Sequence, residues 1–261
     1  MTNSLTLIGY ILLVLYGTAI SWIVLNRLII PSLVKYKAAA RYYRLSSFLG
    51  VPIHELSHAL VAIIFGHRIT RISLVSLSPT DGSIGSVSHQ RNTLSVVQTM
   101  GMFFIGMAPI IGAAIFIAVS AFMLSDSSKS LVIILFDIDS IKYIERTYVV
   151  MDLVFNSKVN VGFFLWLSVC SVVAFFGMPS FTDVKNSIVG LPYTLLLCIL
   201  VISVSMVLGL PIDYFIAKIK QLLFPAFSLL LFFSFLNVTV LLCISTFCIL
   251  IEAVKGQLTQ H

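Results

Sequence analysis

VPIHELSHALVAIIFGHRI (residues 51–69) sets three ionisable side chains, His54, Glu55 and His58, into one of the most apolar parts of an apolar chain. Two imidazoles and a carboxylate in H-E-x-x-H order are costly in such surroundings, and ionisable groups within membrane segments are rare and usually functional. The whole sequence holds only three Glu and five His, and three of these eight residues fall inside this one pattern.

The surrounding sequence decides the fold class. Of 261 residues, 59% are hydrophobic and 10% are charged, whereas an ordinary soluble domain carries roughly 25% charged residues. Six apolar segments stand at about 5–30, 46–66, 94–124, 161–178, 191–210 and 223–252. A helix needs roughly 20 residues to cross the hydrocarbon core, so most of these can span. The expected fold is an all-α multi-pass membrane protein. It has about six transmembrane or partly embedded helices and a small β-hairpin after the motif. With no linker or internal repeat, 1–261 reads as one integral-membrane domain, its core at about 45–190 and further helices at 191–252.

The first segment is too long for a signal-peptide core and lacks a basic start, so it reads as a retained helix. Cys170, Cys198, Cys243 and Cys248 lie inside apolar runs with no C-x-x-C pair, as small core residues do. The net charge of +6 comes from Lys and Arg clustered between apolar runs. That placement suits lipid headgroups, so the expected partner is the bilayer and not nucleic acid. If all six segments cross, eleven of the sixteen Lys and Arg residues fall on the side of Lys35 and five on the other. The positive-inside rule then places the amino terminus outside. The expected location is a prokaryotic cytoplasmic membrane, and homo- or hetero-oligomeric assembly stays open.

The second segment is interrupted by Gly50 and Pro52. Proline suits the first turn of a helix, so a helix from Pro52 to Phe65 is expected. It would be roughly 21 Å long and span only part of the bilayer, with the histidines at its start. Residues 67–93 break the helical pattern: "ITRISLVSL" and "SIGSVSH" flank the turn signal "PTDG", which reads as a hairpin. Residues 125–160 carry Asp126, Asp137, Asp139, Glu145 and Asp152, with "LVIILF" (131–136) too short to span. This region reads as an extramembrane loop with an interfacial helix.

On a helix, His54 and His58 point to one side and can share a metal ion. Glu55 stands beside them, able to take a proton from a water that zinc acidifies. That is the spacing of metal-assisted amide hydrolysis, with one zinc per chain. A catalytic zinc wants a third protein ligand and an open position. The extended motif with a further His is absent, since Ile64 holds that place. His67 reads as a loop residue at the helix end, and His89 falls in the hairpin region. The best candidate is Asp183 in "GMPSFTDVKNSIVGLP" (177–192), where Pro179 and Gly190–Pro192 bracket a short turn or helix. Its rival role is structural, because Ser180 and Asp183 fit a capping box. Asn186, one turn on, is a candidate for positioning substrate.

These residues resemble a family. "HELSHALVAIIFGHRI" (54–69) looks like the metal-binding helix of site-2-protease-like intramembrane zinc metalloproteases. "FFIGMAPIIGA" (103–113) is similar to the Gly/Pro-bearing helix that follows, and "PSFTDV" (179–184) stands where the family carries its third ligand. The resemblance implies a zinc metalloendopeptidase acting on a membrane-protein or membrane-anchored peptide. His54, His58 and Asp183 would be its ligands and Glu55 its general base, with a hairpin that takes substrate as an added strand. The rival from another class is a catalytically silent zinc-containing membrane interaction or assembly protein. A metal transporter ranks below both, because ligating residues are scarce on the other helices.

Overall fold

The computed structural model describes residues 2–75, 84–124, 126–136 and 161–258. They form an all-α multi-pass arrangement with a single two-stranded hairpin. The elements are α1 (Thr2–Leu28), α2 (Ile30–Val34), α3 (Lys37–Ile64), β1 (Arg68–Ser73), β2 (Ser86–Gln90) and α4 (Val96–Leu124). They continue with α5 (Asp126–Phe136), α6 (Val161–Gly177), α7 (Phe181–Val207) and α8 (Ile212–Leu258). Five stretches, within α1–α2, α3, α4, α7 and α8, are long and apolar enough to cross a membrane, and α6 is a shorter apolar helix. Large apolar side chains such as Leu13, Leu60, Ile64 and Leu196 are exposed along them. In water such surface would be an aggregation hazard, whereas lipid covers it at no cost.

Two expectations about helix limits are corrected. The helix carrying the motif does not start at Pro52. It starts at Lys37 and runs through Pro52 without a break. At 1.5 Å per residue α3 is about 42 Å long, and His54 lies about two-thirds of the way along it. Likewise α7 starts at Phe181 and continues through Gly190 and Pro192, so the polar island at 177–192 holds the junction after α6 and then the first part of one long helix, with Asp183 in its first turn. The reason is shared. A proline within a helix loses one hydrogen bond, while in hydrocarbon any non-helical backbone would expose many, so the helix persists. The stretch 211–222, between the last two apolar segments of the sequence, is mostly the start of α8.

The expected hairpin is present. β1 and β2 pair antiparallel, with Ile69 opposite His89 and Ile72 opposite Val87, and an irregularity between Ile69 and Arg71. The PTDG turn lies outside the described residues, as do Asp137, Asp139, Glu145 and Asp152. Asp126 opens the short helix α5, whose Leu131 and Val132 are buried against α4, α6 and α8.

The core sits where α4, α6 and α8 meet. Trp166 is buried there, edge-on to Phe233, and its indole N–H donates to Ser120 Oγ at 2.9 Å. A second cluster joins Trp22 of α1, Ala39 of α3, Phe175 of α6 and Leu241 of α8. The helices that frame the motif approach closely because small residues line their contacts. A Cβ on Gly106 of α4 would collide with the Asp183 carbonyl and Ser187 of α7. One on Gly190 of α7 would collide with backbone atoms of α4. Small residues are how helices pack tightly in lipid, where no hydrophobic force drives them together.

Candidate metal centre

The local sequence of α3 puts His54 and His58 on one face, one turn apart. Their rings lie edge to face with centroids 4.7 Å apart, and their Nε2 atoms are 3.0 Å apart. Asp183 comes to the same point from α7. Its Oδ1 is 3.1 Å from His58 Nε2 and its Oδ2 is 3.4 Å from His54 Nε2. His58, Asp183 and Glu55 are buried and His54 is half-buried. His54, His58 and Asp183 form a group that can hold a metal ion.

Backbone carbonyls fix both imidazoles. His58 Nδ1–H donates to the Ile105 carbonyl and His54 Nδ1–H to the Phe176 carbonyl, each at 2.7 Å. A carbonyl can only accept, so in a neutral ring Nε2 is left as a lone pair aimed at the shared point. Both carbonyls are free for a reason written in the sequence. Ile105 is four residues before Pro109, which has no N–H to offer it. Phe176 is in the last turn of α6, where helical carbonyls lack partners. Its fourth-next N–H, that of Ser180, donates instead to Asp183 Oδ2 at 2.7 Å.

That last bond bears on the two roles weighed for Asp183. The capping box exists: Asp183 N–H donates to Ser180 Oγ at 3.2 Å and Ser180 N–H to the Asp183 carboxylate. The same carboxylate faces both histidines. Capping is therefore compatible with ligation, because it would hold a candidate ligand in place, as the outer partners of metal ligands do.

The geometry fits a tetrahedral ion. Ligand atoms 2.0–2.1 Å from zinc at tetrahedral angles stand about 3.3 Å from one another. Here the two Nε2 atoms are 3.0 Å apart, and each has a different Asp183 oxygen near it, Oδ1 at 3.1 Å from His58 and Oδ2 at 3.4 Å from His54, so a small turn of the carboxylate completes the set. The chemistry fits as well. Neutral histidines leave Nε2 lone pairs and carboxylate oxygens converging with no donor between them, a repulsive arrangement that a cation relieves. Three protein ligands leave a fourth tetrahedral position open, the pattern of catalytic sites.

A cavity of about 360 Å³ opens on this group. Glu55, Gly85, Val87, His89, Thr182 and Asn186 line it together with the three candidate ligands. Among the described residues no donor hydrogen-bonds the Glu55 carboxylate. Gly85, at the start of β2, lies so close over Val51 and Glu55 that a Cβ there would collide with Val51. A second cavity of about 350 Å³, bordered by Trp22, Asn26 and Arg27 of α1, reaches His54 and Glu55 from the other side. Arg27 stacks over the Phe181 ring at 4.8 Å, joining α1 to the start of α7.

The structure thus brings His54, Glu55, His58, Asp183 and Asn186 to one cavity. His67 lies between α3 and β1, as a loop residue at the helix end would, apart from the three candidate ligands, and it is buried there. Its Nε2–H donates to the Gln98 carbonyl at 2.8 Å, and its Nδ1 is 2.9 Å from His89 Nδ1. Burial, then the neighbouring His67, His58 and Arg91, hold the His89 imidazole below its ordinary pKa. It is therefore neutral at pH 7. Sequence reasoning missed the carbonyls of Ile105 and Phe176. The signal for the first was Pro109, four residues on.

Pro109 gives a direct test of this support. In Pro109→Ala the restored N–H competes for the Ile105 carbonyl and loosens the His58 ring. Zinc affinity should fall toward the lower end of the 10–100-fold range typical of outer-partner loss. Competition with a fluorescent zinc chelator measures it, and an unchanged affinity would show that the freed carbonyl does not matter.

Compared with known protein families, curated proteins and solved structures, the chain has no significant match.

Proposed function

We propose that the protein is an intramembrane zinc metalloprotease that hydrolyses a peptide bond of a membrane-embedded substrate. The observation that carries this reading is one constellation: two Nε2 atoms and a carboxylate within 3.4 Å of one another, with Glu55 in the same cavity. A structural metal site needs no unpaired carboxylate beside it, whereas hydrolysis needs a base. A zinc ion held by His54, His58 and Asp183 would supply an acidified water and a Lewis acid for the substrate carbonyl.

The chain's own residues do the rest. Glu55 accepts a proton from the attacking water and returns it to the departing amine. The cavity admits water to a site framed by apolar helices. A membrane helix hides its carbonyls in its own hydrogen bonds, so the substrate must unwind before attack. β2 offers a place for the unwound segment. Among the described residues it pairs with β1 alone, so its outer edge offers N–H and C=O groups, and it lines the cavity. Asn186 lines the same cavity and can donate to a substrate carbonyl.

The test is to reconstitute the zinc-loaded chain in liposomes with a panel of single-span membrane peptides and find the products by mass spectrometry. Chelator-sensitive cleavage is expected, with about one zinc per chain by inductively coupled plasma mass spectrometry. Zinc bound but no peptide cut would favour the silent interaction or assembly protein. Iron in place of zinc would overturn the peptidase reading, since two His and one carboxylate also suit iron oxygenases.

A further inference from the structure

His67 and His89 have no part in the metal group, yet they are joined in a directed chain. The Gln98 carbonyl can only accept, so His67 Nε2 carries a proton. In a neutral His67 the other nitrogen, Nδ1, is then a lone pair, and His89 Nδ1 must donate to it. That leaves His89 Nε2 without a proton. Among the described residues it has no hydrogen-bond partner, and the His89 ring lines the cavity that holds Glu55 and Asp183.

The fold spends three devices on this placement. Gly66, at positive φ, ends α3. Its N–H reaches Ile63 and that of His67 reaches Ala62, so the chain turns sharply and delivers His67 inward. The irregularity between Ile69 and Arg71 on β1 falls opposite the step from Ser88 to His89, where the hairpin's local twist changes. Alternation along β2 then puts Val87 and His89 on the same face.

Resting on the peptidase reading above, we propose that His89 is a substrate-positioning residue. Its Nε2 accepts a hydrogen bond from a backbone N–H of an extended peptide in the cavity, and His67 sets the tautomer that makes this possible. Such a contact reads peptide backbone and not side chain, so it suits varied sequences held in one register.

The probes are tri-leucine hydroxamate, which offers backbone N–H groups beyond its metal-binding tip, and acetohydroxamate, which offers the tip alone. Their affinities for the zinc-loaded chain are measured by isothermal titration calorimetry. In His89→Phe, which keeps a ring of similar shape, tri-leucine hydroxamate should bind about five- to tenfold more weakly. Acetohydroxamate and zinc content should not change. His67→Phe should lower the same ratio by freeing the His89 ring, and His89→Ala should match His89→Phe. An unchanged ratio in both His89 variants would overturn the proposal. Loss in the His89 variants but not in His67→Phe would overturn the role given to His67. If neither hydroxamate binds the zinc-loaded wild type, the peptidase reading itself fails, and this proposal with it.

Discussion

Asp183→Asn should lose nearly all bound zinc while keeping its helix start. The asparagine oxygen can still accept from Ser180 N–H, whose bond to Asp183 is 2.7 Å, so the cap survives. What goes is the anionic ligand opposite His54 and His58. Loss of a ligand should exceed the 10–100-fold in affinity that a supporting residue costs. Asp183→Ala should lose both, with a further stability loss of about 1 kcal/mol from the broken cap. Ser180→Ala is the complementary variant. It keeps the carboxylate but removes the hydroxyl that accepts from Asp183 N–H, so it should keep zinc at reduced affinity. Metal content and thermal unfolding of the three variants separate ligation from capping. Full zinc in Asp183→Asn would return Asp183 to a purely structural role and reopen the third ligand.

Glu55→Gln should cut hydrolysis by roughly 10²–10⁴-fold, the usual contribution of a positioned general base. Zinc content should stay at the wild-type level, because the group that can hold a metal ion is His54, His58 and Asp183, without Glu55. The substitution keeps size, which matters where Gly85 of the hairpin lies against the Glu55 side chain. The same variant is also a trap, since substrate should bind uncut. Cleavage rates against the reconstituted peptides are the measurement, with chelated wild type as the zero. Undiminished hydrolysis would remove Glu55 from the mechanism. A cellular role that survived the substitution would be one that the peptidase activity does not perform.

The sequence alone determined the fold class and the candidate metal-binding pair. Apolar runs of about 20 residues in a chain with few charges have only one solvent that suits them, which is lipid. Residues four apart on a helix must share a face, so His54 and His58 were paired before any coordinates. The hairpin was legible from β-branched runs around a turn signal, and Asp183 from its place as a lone acid among apolar helices.

Tertiary structure decided the rest. Pro52 and Pro192 read locally as boundaries, yet both helices continue, because lipid penalises open backbone more than one missing bond. From sequence, capping and ligation competed for Asp183. Only the close packing of α7 on α4 at Gly106 and Gly190 brings the capping carboxylate to the histidines of α3, where it can serve both roles. The carbonyls that orient the histidines belong to α4 and α6, far away in sequence. The link between His67 and His89 exists only because Gly66 turns the chain and a strand irregularity falls opposite the step from Ser88 to His89. Each of these depends on which backbone groups are left unpaired and what packs against them. Local propensity cannot report that, because the partner arrives from another part of the chain.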